Sequence, residues 1–537
     1  MDPLVAALND SAAYPHPVTS IEVMETHISW VLLTGDYAYK IKKPVTLDFL
    51  DFSSLDARRR YCDEELRLNR RFAPQLYLAV VPITGNPERP QMDGAGKAFE
   101  YAVKMRQFGQ DGLFDHLVAR NALTPQLVER LAACIAAFHE RAPAVSADSS
   151  FGTPEAVMQP ALDNFEQMAP HVPSAHRPAL DVLQTWTADT GRRLQPTFAA
   201  RRRDGFVREC HGDLHLRNIV LIDGEPVPFD CIEFDAGLRW IDVMNEVAFL
   251  AMDLIDRRRS DLAFRFINIY LEITGDYEGV TVLRFYLVYR ALVRAKIHGL
   301  RARQAHADPR EAARLDAAAG SYMALAQRLS CSARPVLIAM HGFSGSGKST
   351  IAVALSETLG AIRVRSDVER KRLSGLNAGA RNRSAVGGGI YQLQTTERVY
   401  RRLCDIAETV LNAGYPAIID AAFLGRPQRD LVHALAGRLG ASLIIIDCDA
   451  APAVLRDRIA LRETRGSDPS EATAAVLDHQ LAHHDALATD EMAAVIRCDM
   501  SGYRDTDIER CVQHVVRRLD SRPAGDETAR TPPQHRL

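Results

Sequence analysis

The sequence predicts two domains of different class: an α+β domain over residues 1–330 and an α/β domain with a parallel sheet over residues 331–520. Residues 521–537, rich in proline and charge, are expected to be a disordered tail. Three observations carry this. The chain has 537 residues, more than one hydrophobic core usually serves, so two or three domains are expected. The first half places strand-like alternation ahead of long helical stretches, and between them lies His211-Gly-Asp-Leu-His-Leu-Arg-Asn218 with a hairpin signature after it. The second half opens on an apolar run, Val336–Met340, that feeds a glycine-rich loop and then a helix, after which strands and helices alternate.

Composition narrows the class. An apolar share of 47% and a charged share of 25% are ordinary for a globular protein, and a net charge of −3 favours neither nucleic acid nor membrane. Arginine triplets beginning at 58, 201 and 257 read as solvated helix faces. The 9 cysteines include no C-x-x-C pair, which argues against zinc, suggests no disulfide framework and fits a reducing compartment. The N-terminus lacks the features of a signal peptide and no apolar stretch reaches membrane-spanning length, so a cytoplasmic location is expected.

In the first half, Ile28–Leu33, a Thr34-Gly35-Asp36 turn and Tyr37–Lys42 alternate as two strands. Lys40 and Lys42 lie two apart and so point to one face. The following helix carries Cys62-Asp-Glu-Glu-Leu-Arg-Leu-Asn69, where Glu65 suits an ion pair with Lys40; Lys42 is the alternative cation. Glu100–Phe108 reads as a strand and Thr124–Arg141 as a helix. Then comes H-x-D-L-x-x-x-N, a spacing that sets a carboxylate (Asp213) to orient and deprotonate an attacking hydroxyl, with an amide oxygen five residues later (Asn218) for Mg²⁺. Ile219–Ile222, an Asp223-Gly224 turn and Pro226–Phe229 form a hairpin that returns Asp230 to Asn218, so two oxygen ligands converge. The bland alternative is a turn in which Asp213 caps a helix. Asp242 is expected to tie this loop to the helix Val243–Ile255, and Phe285–Leu300 has the spacing of a core-packed helix. No activation-loop segment follows Asp230, which favours a small-molecule acceptor over a protein one.

Residues 21–300 resemble the aminoglycoside phosphotransferase and fructosamine kinase superfamily. The motif residues His211, Asp213, Asn218 and Asp230 match it one by one, and Lys40 and Glu65 match by position. The resemblance implies a bilobal, protein-kinase-like fold and ATP-dependent phosphorylation of a hydroxyl, with Lys40 on the nucleotide phosphates. This chain departs from protein kinases in lacking G-x-G-x-x-G before Lys40, which leaves Thr34-Gly35-Asp36 as the phosphate-covering turn.

Helical, Ala/Arg-rich sequence from Arg301 to Leu329 leads to a boundary near 331. Gly342-Phe-Ser-Gly-Ser-Gly-Lys-Ser349 satisfies G-x-x-x-x-G-K-[ST] between a strand and a helix. Gly342, Ser344, Gly345, Ser346, Gly347 and Thr350 supply backbone groups around phosphates, Lys348 reaches the β and γ oxygens, and Ser349 can bind Mg²⁺. Further strands are read at Ile362–Arg365, Ala417–Asp420, Ser442–Cys448 and Ala494–Asp499. Asp367 and Asp420 stand at the carboxyl ends of two of them, where such sheets bind ligands; their alternatives are a helix N-cap and a loop-ordering carboxylate. Arg456, Arg458, Arg462 and Arg465 precede Gly466-Ser-Asp-Pro469 and read as a lid or as a basic solvated helix. Ser374–Gly389, with Arg381 and Arg383, reads as a substrate loop or a plain connection.

Residues 335–520 resemble the P-loop kinases that include polynucleotide 5′-hydroxyl kinases, gluconate kinase and zeta toxins. That resemblance implies Asp367 as base on an acceptor hydroxyl, Arg370 as its support, Asp420 near Mg²⁺ and Arg462 as the leading lid residue. The whole pattern is similar to bacterial proteins that fuse an aminoglycoside-phosphotransferase-like domain to an ATP-binding one. The expectation is a bifunctional phosphotransferase that uses ATP and Mg²⁺ on a small-molecule hydroxyl, with no membrane partner. The alternatives are a nucleotide-sensing stress or regulatory protein with one non-catalytic ATP site, and, for the C-terminal domain alone, a kinase of nucleic-acid 5′-hydroxyls.

Overall fold

The computed structural model describes residues 2–47, 50–172, 176–304, 308–376, 393–465, 473–502 and 504–521. The tail beyond Ser521, Arg381 and Arg383, and Gly466–Pro469 lie outside the described residues. The chain forms two compact units, Met1–Arg259 with Val282–Ser330, and Ser260–Thr281 with Cys331–Leu537. Residues 260–281, read in the sequence as part of the first domain, therefore pack with the second. Among the described residues no helix is long and apolar enough to cross a membrane.

The first unit is α+β. Its six-stranded antiparallel sheet runs in the order Glu22–Glu25, Ser29–Leu33, Tyr37–Lys42, Glu100–Arg106, Tyr77–Asn86, Arg89–Met92. Alternation along Tyr37–Lys42 splits the strand: Tyr39 and Ile41 enter a core with Leu32, Val81, Ile83 and Ala102, while Lys40 and Lys42 turn to the other face. The helix Leu55–Asn69 begins at Ser54, whose hydroxyl accepts from Ala57 N–H at 3.2 Å. It buries Arg58, Cys62, Glu65 and Asn69, residues at helical spacing on one face. Cys62 packs with Ala73, Tyr77, Val103, Val220 and Val227, which seats the later hairpin against the sheet.

That hairpin pairs Ile219–Ile222 with Glu225–Pro228 in antiparallel register. Asp223 and Gly224 have φ of 51° and 81°, the two left-handed residues that a type I′ turn requires. The arginine triplets are not uniformly solvated. Arg58 is buried on Glu100, donating to it at 2.8 Å, and Arg201 is buried on Asp242. In these two triplets a helix position meets a buried carboxylate about forty residues away, which spacing alone cannot reveal.

The second unit is α/β. Its five strands are all parallel, in the order Ile362–Arg365, Ala417–Asp420, Val336–His341, Ser442–Asp449, Val495–Asp499. Buried Ile338, Met340, Ile418, Ile444 and Ile446 from the central strands pack with Ile351 and Leu355 of the helix Lys348–Leu359. No disulfide framework was expected, yet Cys498 is bonded to Cys511 of the helix Asp505–Asp520, with their Cα atoms 5.8 Å apart. The strand and the helix that follows it pack face to face, so tertiary adjacency and not sequence spacing makes this pair.

Candidate active sites

In the first unit one ionic chain runs from the sheet to the hairpin. Lys40 Nζ lies 2.8 Å from Glu65 and 2.6 Å from Asp230. Lys42 Nζ lies 2.7 Å from the other oxygen of Glu65 and also contacts Glu233. Glu65, Lys42 and Glu233 are almost fully buried. Burial pushes the Glu65 carboxyl up, but the ammoniums of Lys40 and Lys42 overcome it and hold it at about 2. Burial opposes the charge on Lys40 too, and Asp230, Glu65 and Glu233 together keep it firmly protonated.

The catalytic-type loop is fixed from two sides. His211 accepts from Asp213 N–H through Nδ1 at 3.3 Å, so its Nε2–H donates to Phe229 C=O at 2.8 Å. Burial keeps this imidazole neutral, below its ordinary value. One ring therefore joins the loop to the end of the hairpin, one residue before Asp230. Asn218 donates from its amide nitrogen to both the backbone and the carboxylate oxygen of Asp213, at 3.0 and 2.9 Å, which turns its own oxygen the other way. Phe229 N–H donates to Asn218 C=O at 2.9 Å, so Asn218 and Phe229 extend the hairpin by one rung and Asp230 is the next residue along. Asp230 adopts φ of 64°, a left-handed conformation that costs a non-glycine residue about 1 kcal/mol. The surroundings impose it: Tyr77 hydroxyl accepts from Asp230 N–H at 3.1 Å, and Asn69 Oδ1 accepts from Cys231 N–H at 2.9 Å. Burial raises the Asp213 carboxyl, yet His215, 3.3 Å away, with a contribution from Arg294, takes it well below the carboxylate range. Asp213 is thus an ionised acceptor, while the oxygens of Asn218 and Asp230 are the hard ligands that suit Mg²⁺.

In the second unit the loop after Val336–His341 closes as its glycines demand. Gly342, Gly345 and Gly347 have φ of 132°, 83° and 90°. A Cβ on Gly342 would lie 2.4 Å from Cys448 C=O and one on Gly345 3.0 Å from Leu455 C=O. Ser346 is buried, and Gln480 accepts from Ser344 N–H at 2.9 Å. Lys348 Nζ donates to Phe343 C=O at 2.7 Å; burial lowers its basicity, which a bound polyphosphate would restore. Ser349 Oγ donates to Asp420 Oδ1 at 3.2 Å, and the buried Asp420 Oδ2 makes no hydrogen bond. A hydroxyl and a carboxylate oxygen side by side, one of them unsatisfied, fit a divalent cation. Thr350 follows in the first turn of the helix Lys348–Leu359.

Residues 52–286 match the model of the Phosphotransferase enzyme family, and residues 337–487 match an AAA domain model. An uncharacterised protein of Mycobacterium tuberculosis strain H37Rv is 31% identical over 474 residues, spanning 87% of this chain and 92% of that one. An uncharacterised Mycobacterium bovis protein matches to the same extent. The chain belongs to the same family as these mycobacterial proteins, and its residues 52–286 form a phosphotransferase-family domain. Its second half is a P-loop kinase-like domain. Among solved structures, an amicoumacin kinase in complex with AMP-PNP, Ca²⁺ and Ami is 16% identical, with 60% of this chain and 94% of that chain covered and a TM-score of 0.38. A choline/ethanolamine kinase family protein from Mesorhizobium loti is 13% identical, with coverage of 61% and 100% and a TM-score of 0.34. A sugar kinase from Janibacter is 23% identical, with coverage of 35% and 97% and a TM-score of 0.26. Overlaps of that size add nothing to the family assignment.

Asp242 does not hold the catalytic-type loop: it takes both Arg201 nitrogens at 2.7 and 2.8 Å and caps the helix Val243–Asp256 through Met244 N–H. Glu246, one turn on, does hold it. Its Oε1 accepts from His211 and Gly212 N–H at 2.6 and 2.8 Å, and its Oε2 meets His139 at 2.8 Å. Asp253 adds a bond from Leu216 N–H. Glu246 and Asp253, seven residues apart and so on one face of a largely apolar helix, are the signal that marks Glu246; Glu233, Asn69 and Tyr77 carry none.

Asp367 stands half-buried in the first turn of the helix Ser366–Leu373, which no side chain caps, so the N-cap alternative does not apply. Its charge reaches Lys348. Arg370 is buried and donates to Thr396 at 3.1 Å. Arg462, half-buried, also acts electrostatically on Lys348. Arg458 is no lid residue: it donates to Gly345 C=O at 3.3 Å and Met500 C=O at 2.6 Å, latching the phosphate loop, and Arg456 pairs with Asp478. Helical spacing put Arg458 and Arg462 on one face, but only packing shows that the first is spent on backbone carbonyls.

Proposed function

We propose that the chain is a kinase with two Mg·ATP sites, each transferring a phosphoryl group to the hydroxyl of a small molecule. The observation that carries it is the linkage of Lys40 to both Glu65 and Asp230 beside an Asn218–Asp213 pair, repeated in kind by the Ser349–Asp420 pair below a glycine loop. Bound Mg²⁺ would neutralise charge on the nucleotide phosphates, held by Asn218 and Asp230 in one site and Ser349 and Asp420 in the other. The chain's own groups do the rest. Lys40, steadied by Glu65, meets phosphate oxygens in the first site. Asp213, ionised and tethered by Asn218, accepts a hydrogen bond from the acceptor hydroxyl and orients its oxygen for in-line attack. Its strongly depressed basicity makes positioning its main service, with the proton passing late as the new bond forms. In the second site Lys348 and the loop N–H groups hold phosphates, Asp367 faces the acceptor hydroxyl with Arg370 in support, and Arg462 offsets negative charge on the transferring group.

The test is phosphoryl transfer from γ-labelled ATP to a metabolite library by the intact protein. Asp213→Asn is expected to abolish one set of labelled products, by a factor on the order of 10²–10⁴, and Lys348→Ala another. If both variants label the same products as the wild type, the proposal fails; if only Asp213→Asn has an effect, the second site binds nucleotide without turnover.

A further inference from the structure

The strand Ile362–Arg365 is an edge of the parallel sheet, and its outer side is closed by the helix Ser260–Thr274, which comes from the middle of the sequence, ahead of the last helices of the first unit. Asn268 makes the junction. Its Oδ1 accepts from Arg363 N–H at 2.6 Å and its Nδ2 donates to Ala361 C=O at 2.9 Å, so one side chain pairs with the edge as a further strand would. One turn later, on the same helix face, stands Glu272. Its two oxygens take the guanidiniums of Arg363 at 3.1 Å and Arg365 at 2.9 Å, and Arg372 donates to its backbone carbonyl at 2.6 Å.

The same two guanidiniums face Asp420. Arg363 lies 3.7 Å and Arg365 3.9 Å from its Oδ2, too far for a hydrogen bond. All four charged side chains are at most 12% exposed. Buried guanidiniums seek a carboxylate with which to form short, paired bonds. Here two carboxylates compete for two arginines, and Glu272 holds them. Asp420 keeps their field but not their hydrogen bonds, and its Oδ2 stays open while Oδ1 accepts from Ser349 Oγ.

We propose that Glu272 is a positioning residue of the second site: by holding Arg363 and Arg365 off Asp420 it keeps that carboxylate available to a divalent cation. This rests on the reading of the Lys348 loop as a nucleotide site. Without the Glu272 charge both arginines close on Asp420 and withdraw it from the metal. A domain cut at residue 331 would lack this control, although it would keep every motif residue of the site.

The experiment uses the full chain and a fluorescent ATP analogue, titrated with Mg²⁺ and, separately, in EDTA. The part of the signal that Lys348→Ala removes is assigned to the second site; if Lys348→Ala removes none, the nucleotide reading itself falls. Glu272→Gln is expected to leave the EDTA affinity within about twofold while raising the Mg²⁺ half-saturation concentration about tenfold or more. Glu272→Gln combined with Arg363→Met is expected to recover part of that rise, because one of the two guanidiniums that would close on Asp420 is gone. Should Glu272→Gln not fold, Glu272→Asp, with the charge kept but drawn back, is expected to give a smaller rise in the same direction. An unchanged Mg²⁺ requirement, or a rise that the double variant does not recover, overturns the proposal, the second by tracing the effect to lost packing.

Discussion

Replacing Glu65 by Gln removes the one charge that Lys40 and Lys42 share. The structure sets the size of the effect. A buried carboxyl kept at about 2 instead of its ordinary 4.5 corresponds to ~3 kcal/mol of folded-state preference for the charged form. Breaking one partner of a buried ion pair costs about 3–5 kcal/mol, because the cations left behind stay desolvated. The two figures agree, and ~3 kcal/mol is the expected loss. All 3 tryptophans, Trp30, Trp186 and Trp240, belong to the first unit, so tryptophan fluorescence during urea unfolding reads that unit alone. With a urea slope of about 3 kcal/mol/M, the midpoint should fall by about 1 M. The pH dependence gives an independent check. Since the folded-state value lies below the unfolded one, the stability from Glu65 is fully present above about pH 4.5 and is lost as pH falls toward 2. The wild type's advantage over Glu65→Gln should therefore be flat from pH 7 to 5 and shrink below that. A midpoint shift under about 0.2 M at pH 7 would refute the assignment of Glu65 as the shared counter-ion of the two lysines.

Glu233 shares Lys42 but behaves differently, because burial outweighs the lysine and raises its carboxyl. Glu233→Gln should cost less than Glu65→Gln at pH 7, and the wild type's advantage over it should decline as pH rises through the carboxylate range, the reverse of Glu65; the same unfolding curves decide this. Arg458→Ala should weaken nucleotide binding by the second unit about tenfold, the value of one charged hydrogen bond, without a separate loss in the rate of bound complexes. A lid arginine would show the opposite pattern, an unchanged dissociation constant and a reduced single-turnover rate.

What could be read along the chain alone is what local chemistry decides. The spacing of Asp213 and Asn218, the Asp223-Gly224 turn and the glycines of the Lys348 loop each follow from a few neighbouring residues, because turn conformation, strand alternation and the reach of a side chain are short-range properties. They place both candidate sites and the class of each domain. Tertiary structure decided which partners complete them. Lys40 and Asp230 are 190 residues apart, and spacing cannot say that Glu246 and not Asp242 holds the loop, since the two lie one turn apart on one helix face and differ only in that Arg201 takes Asp242 while Glu246 meets His211. Nor could it assign Glu272 to the second site across a nominal domain boundary, or commit Arg458 to backbone carbonyls. Those outcomes depend on which buried faces come together. A charged side chain taken out of water must find a counter-charge there, wherever in the sequence that counter-charge happens to lie.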